Sequence, residues 1–327
     1  MAVARPLAGF AHNQARIHSL ADEALVSTVG AMRSAAIEWP TWALIVVVHA
    51  AWLAAVAALP VLGPLAGSGL LALACCWHMS LQHELLHGHP TRSERINRWL
   101  GLLPLAAWFP YDLYRDTHLA HHRDELLTQP GIDPESNYVS ADHYARLGRT
   151  GRWLRHAQRT VLGRVLLGPA MVILPTWADM LRRPLRGDFS QLGCWLQHLA
   201  LLAGLLWLLQ QQAGIHPLHY LLGVCYPALG LAMLRSFYEH RPAEQAAHRV
   251  VVNEAGWFWR WLFLNNNYHA VHHAQPGLPW WRIRREYLAR RAEVLVRNGG
   301  FLVPGYGSLL RRHALRPIDS PVHRHQP

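Results

Sequence analysis

Histidine occurs 23 times in a chain of 327 residues, and its arrangement matters more than its number. His83 and His87 stand four apart in HELLHGH. His118, His121 and His122 form HLAHH, and His269, His272 and His273 repeat that HxxHH spacing. On a helix, positions i, i+3 and i+4 share one face, so each cluster aims its imidazoles at one point. Together the clusters supply eight imidazoles, and His240 in SFYEHR is a candidate ninth. A tetrahedral zinc site takes at most four protein ligands, so eight or nine suit two metals at four or five ligands each. Imidazole binds iron, copper, zinc or nickel, and the chemistry must choose among them. Two redox metals beside apolar walls suit oxygen and a hydrocarbon: they can share the electrons that cleave O₂ and yield an oxidant able to strip hydrogen from a methylene.

A rival reading uses fewer residues. His83-Glu84-Leu85-Leu86-His87 is a literal HExxH, the pattern in which two histidines bind zinc and the glutamate is a general base for hydrolysis. An intramembrane zinc protease of that kind needs only one further ligand, which leaves six clustered histidines without a role. No Asp-Gly dipeptide follows in a later apolar segment. Glu84, Asp116, Asp133 and Glu239 are candidates to orient ligand imidazoles, with surface or capping roles as the plain alternative. His89 is a weaker ligand candidate, because Gly88 breaks the helical register. His49, His198, His216 and His219 read as polar groups within or beside a bundle. His12, His18, His143, His156, His248, His313, His323 and His325 read as solvated.

The elements that position these clusters are set by where charge is absent. All 31 basic residues are arginine, and none falls in 41–81 or 191–234; the acidic residues avoid the same windows. Each window holds two membrane crossings of ~20 residues. The expected spans are about 41–60, 66–81, 192–210 and 217–235, paired as two hairpins, and in lipid they must be helical to satisfy their own backbone. The fold class is therefore an all-α membrane protein, four transmembrane helices beneath a helical cap that carries a di-metal histidine site. Residues 99–110, with Pro104 and Pro110, read as interfacial or re-entrant. Residues 161–180 are apolar and long, but a crossing there would put the histidine clusters on opposite sides, so they are assigned to the surface. Residues 1–40 form an N-terminal surface segment, helical and amphipathic over 10–38, followed by the main domain at 41–300. The tail, 301–327, is expected to be poorly ordered from about 305.

Because each hairpin returns the chain to the side it left, all three clusters lie on one face. That face carries nearly all the arginine and should be cytoplasmic. The net charge of +11 comes with no nucleic-acid recognition module, so nucleic acid is not an expected partner. Cys75, Cys76, Cys194 and Cys225 all sit in apolar stretches and imply no disulfide framework or CxxC metal site. The first 40 residues lack a signal-peptide pattern.

HELLHGHP, NRWLGLLPLAAWFPYDLYRDTHLAHH, LTQPGIDPES, SFYEHR and NNNYHAVHH resemble the membrane fatty acid desaturase superfamily, of bacterial type, over roughly residues 40–290. That superfamily also holds hydroxylases and carotenoid ketolases. The resemblance implies a di-iron site, O₂ as co-substrate, an external electron donor and a lipid acyl substrate. Carried over by position, the metal ligands would be His83, His87, His118, His121, His122, His269, His272 and His273, with His240 as the ninth. The HPGG motif of a fused haem-binding cytochrome b5 domain is not seen. Electrons are therefore expected from a separate ferredoxin-like protein and its reductase, an acidic ferredoxin suiting the arginine-rich face. The expected reaction is acyl desaturation, with lipid or carotenoid hydroxylation or ketone formation as the alternative. The expected location is the bacterial inner membrane, active site toward the cytoplasm.

Overall fold

In the first apolar window the chain has to reverse, and Pro60, Gly63 and Pro64 are where it does so. A computed structural model describes residues 37–324, so the N-terminal helix expected over 10–38 lies almost wholly outside the described residues. From Trp39 onward the described residues pack as one unit. Its first helix, α1 (Trp39–Leu86), breaks at Gly63, whose φ of 77° and ψ of 172° are not helical. The two arms, 39–62 and 64–86, run antiparallel. His49 and His78 meet with ring centroids 5.5 Å apart, whereas a straight helix at 1.5 Å per residue would hold them ~43 Å apart. The close approach is made at Gly67, where an added Cβ would lie 2.8 Å from Leu59 Cα.

Two further apolar helices complete the bundle, α5 (Leu192–Ala213) and α6 (Pro217–Tyr238), joined by a turn at Gly214 in the left-handed conformation. Between α1 and α5 lie α2 (Glu94–Gly101), α3 (Tyr111–His121) and α4 (Val161–Leu185). After α6 come α7 (Trp257–Leu262), α8 (His269–Ala274), α9 (Trp280–Ala289) and α10 (Tyr306–His313). One small parallel pairing joins β1 (Val252–Asn253) to β2 (Leu302–Val303). Large apolar side chains on the bundle helices, among them Val46, Leu53, Leu65, Leu196, Trp207 and Leu222, face outward. Such a surface suits lipid rather than water.

The helix α4 is also long and apolar enough to cross a membrane by composition. The surface assignment expected for 161–180 turns on where its two ends lie. At its start, buried Arg164 reaches Asn137 and the Ser236 carbonyl, beside His240. Its far end leads directly into α5, whose first turns hold Trp195 against Trp177 and Gln197 against Arg98. Both ends of α4 therefore lie at the end of the bundle where the histidines gather. The helix is also interrupted at Leu167.

Residues 102–110 enter the bundle without forming a helix, which requires other groups to take their carbonyls. From the end of α2 onward they are taken in sequence: Gly101 O, the last of that helix, by Gln82 Nε2 (2.8 Å), then Leu103 O by His78 Nε2 (3.0 Å), Leu105 O by the Tyr220 hydroxyl (2.8 Å), Ala107 O by His198 Nε2 (2.8 Å) and Trp108 O by Trp177 Nε1 (3.0 Å). The re-entrant alternative describes this segment. It runs directly into α3, which carries the second histidine cluster.

The tail departs from the sequence expectation. Tyr306–His313 is helical, and 314–323 then lies as an ordered strap: Leu162 N donates to Ala314 O, Ile318 N to Arg159 O and Val139 N to Pro321 O. His323, expected in solvent, is buried. The physical reason is that Asp319 meets the buried Arg159, a pairing between distant residues that composition does not display.

Candidate metal centre

Each histidine cluster is delivered by a different element. His83 and His87 sit at the end of the second arm of α1, where the helix passes from lipid-facing to polar sequence. His118 and His121 are in the last turn of α3, and His122 follows it. His269, His272 and His273 occupy the short helix α8, and His240 follows α6 in an extended bridge to Val250.

Eight of the rings fall into two sets. His83, His87, His118 and His272 form one, and His121, His240, His269 and His273 the other; within each, one nitrogen per ring lies within 4.8 Å of the rest. The ninth, His122, joins them: its Nε2 is 3.1 Å from both His118 Nε2 and His272 Nε2, and its ring stacks on His273 at 4.3 Å. Three more Nε2 pairs close the second set: His121 to His240 at 3.0 Å, and His269 to both His240 and His273 at 3.1 Å.

Tautomers explain why these nitrogens converge. Glu135 Oε1 accepts from His118 Nδ1 and Asp133 Oδ1 from His121 Nδ1, both at 2.8 Å. Asn266 Oδ1 accepts from His269 Nδ1 at 3.1 Å. A ring whose Nδ1 carries the proton presents a lone pair at Nε2, and holding metal-ligand rings in this way is the usual task of such outer partners. Lone pairs do not attract one another, and a cation placed between them would turn that repulsion into ligation. The spacing agrees. Two nitrogens held about 2.1 Å from one ion sit about 3.0 Å apart at right angles and about 3.4 Å apart at the tetrahedral angle. The observed Nε2 separations match the former.

Electrostatics favour the same conclusion. Burial and the neighbouring imidazoles His87 and His122 hold His272 well below its usual range, and burial with His118 and His121 lowers His122 to about 3. Both are neutral, as ligands must be. Burial also works against charge on His121, yet Glu135 and Asp133 outweigh it and push that ring up to about 9. Burial alone would raise Glu135; His118 and His121 overrule it and hold the carboxylate well below its usual range. Buried Asp133 and Glu239 add to this demand for positive charge, which Arg235, 3.6 Å from Glu239, only partly meets. His87 Nε2 and Glu239 Oε1 are buried without a hydrogen-bond partner. The nine imidazoles and the acids behind them fit two cations.

Four acids were candidates for orienting the rings, and they divide. Asp133 holds His121. Glu239 lies 3.8 Å from His269 Nδ1. Glu84 approaches His83 Nδ1 at 3.8 Å, while its Oε2 accepts the Trp280 backbone N–H at 2.9 Å. Asp116 is exposed and pairs with Arg115, its sequence neighbour, because it projects from the outer face of α3. Sequence reasoning missed Glu135 and Asn266, the latter also 3.3 Å from His83 through Nδ2. Their signal was proximity to motifs: Glu135 is two residues from Asp133, and Asn266 three before His269. His89 is buried but belongs to neither set.

The HExxH reading fares poorly in this geometry. A general base must present its carboxylate to water, and Glu84 is committed to the start of α9. A family model described as fatty acid desaturase matches residues 50–300. No curated protein matches the chain.

Proposed function

The chain belongs to the fatty acid desaturase family, and from that premise we propose that it is an integral membrane oxidoreductase that introduces a double bond into a lipid acyl chain with two iron ions held by His83, His87, His118, His121, His122, His240, His269, His272 and His273. The observation that carries this reading is the pair of four-histidine sets linked by His122. When bound, the irons would supply O₂ activation and the removal of hydrogen from two adjacent carbons. The balance is a saturated carbon pair, one O₂, two electrons and two protons giving an alkene and two waters.

The protein's own residues supply position and exclusion. Asp133, Glu135 and Asn266 fix the ring tautomers, and the negative charge of the acids favours the bound cations. Leu81, Leu85, Tyr111 and Phe237 form part of the apolar packing around the site and keep bulk water away, which suits a hydrocarbon substrate. The electron donor is a separate acidic ferredoxin-like protein served by its reductase. Exposed Arg282, Arg284 and Arg285 on α9 offer it a basic surface, and the first residue of that helix donates its N–H to Glu84, the neighbour of His83. The active site faces the cytoplasm of a bacterial inner membrane, on the side where arginine is concentrated.

The test is lipid analysis of cells that express the wild-type chain or the His272→Ala variant. New unsaturated acyl chains with the wild type alone are expected. Hydroxylated or ketonic products would move the assignment to the hydroxylase and ketolase branch of the same chemistry. An unchanged lipid profile with iron-loaded wild-type protein would refute it.

A further inference from the structure

The family match ends at residue 300, yet the chain beyond it reaches back to the ring-orienting acids. His323 Nε2 lies 2.9 Å from Thr128 Oγ1, both groups being buried. The Thr128 backbone N–H donates to Asp133 Oδ2 at 2.8 Å, and Asp133 Oδ1 accepts from His121. Thr128 itself has a φ of 69°, a conformation a β-branched residue rarely adopts, so outside contacts must hold it. A second connection runs beside the first. Asp319 Oδ2 accepts from the Tyr138 hydroxyl at 2.7 Å and pairs with Arg159, while the same hydroxyl is 3.3 Å from the His240 carbonyl. Between these anchors, Val139 and Val322 form a parallel bridge.

Both connections end at histidines of one set, His121 and His240. We propose that the C-terminal strap, 314–323, is a positioning element for the cation held by His121, His240, His269 and His273, with His323 and Asp319 as its positioning residues. The strap touches neither cation. It fixes the 128–138 loop, and the loop fixes the acid that sets the tautomer and aim of His121. Loss of such an outer partner typically weakens a metal site by roughly 10- to 100-fold. His118 of the other set lies one link further from the strap: it depends on Glu135, whose N–H donates to Asp133.

The inference rests on the metal reading above, and the test separates the two. The full-length detergent-purified protein, stripped by chelation, is titrated anaerobically with ferrous ion alone. The wild type should take up two irons. His323→Ala and Thr128→Val should each retain one tight site and lose affinity at the other by roughly 10- to 100-fold. Because Thr128→Val keeps the side-chain shape, it tests the link even if His323→Ala folds poorly. His323→Gln, which restores a polar group toward Thr128, should recover most of the loss, and the double variant His323→Ala/Thr128→Val should be no worse than either single one. Wild-type affinity at both sites, or equal weakening of both, would overturn the role of the strap. Failure of the wild type to bind iron would overturn the metal reading as well.

Discussion

At the residue scale, each of three histidines is held by an acceptor: Glu135 behind His118, Asp133 behind His121 and Asn266 behind His269. An imidazole left to rotate or to choose its tautomer would offer a proton rather than a lone pair in part of the population. His121→Ala and His272→Ala each remove a ligand from a different set and should abolish product formation while leaving the protein in the membrane fraction; retained turnover in either would sink the assignment. Asp133→Asn and Glu135→Gln should be milder, because an amide oxygen can still accept from Nδ1 but brings no charge. The expected loss is roughly tenfold or more in iron affinity, read by titration of the stripped protein. The clustering of the histidines was legible from HxxHH spacing, since a helix turns that spacing into a shared face. Glu135 and Asn266 were not, because neither belongs to a helical repeat that would fix its direction.

At the element scale, the hairpin of α1 and the loop 102–110 decide where the histidines sit. The hairpin of α1 depends on the contact of Gly67 with Leu59, and a Cβ there meets backbone. Gly67→Ala should therefore lower stability by about 1–3 kcal/mol, whereas Gly69→Ala, with nothing within 4 Å, should not. A thermal melt of both in detergent checks the pair, and equal behaviour would argue against the hairpin contact. The loop 102–110 is held by side chains from four helices. Tyr220→Phe removes its donor to Leu105 O and the acceptor for Trp52 Nε1, and should cost about 1–3 kcal/mol in the same assay. The sequence showed the hairpin turns as Pro and Gly between apolar runs, and the loop as an apolar stretch too short to span. It did not show the order of the tail, because Asp319 and His323 find Arg159 and Thr128 across 160 and 195 residues of sequence.

At the scale of the molecule, charge segregation and site chemistry point the same way. Arginine is excluded from the two apolar windows and concentrated in the segments that carry the histidines, so the basic end of the bundle is also the histidine end. An acidic electron donor drawn to that end should be released by salt. Turnover with a ferredoxin should fall as ionic strength rises toward about 1 M, where the Debye length shrinks to about 3 Å, while turnover with a small neutral reductant should not. Equal sensitivity of the two would remove the basic face as the docking surface. The central claim, two irons held by nine histidines, is tested most directly by the metal content of the purified chain, with iron and zinc quantified together. Two irons per chain and little zinc is the result expected. One zinc and no iron would contradict it and return the HExxH segment to first place.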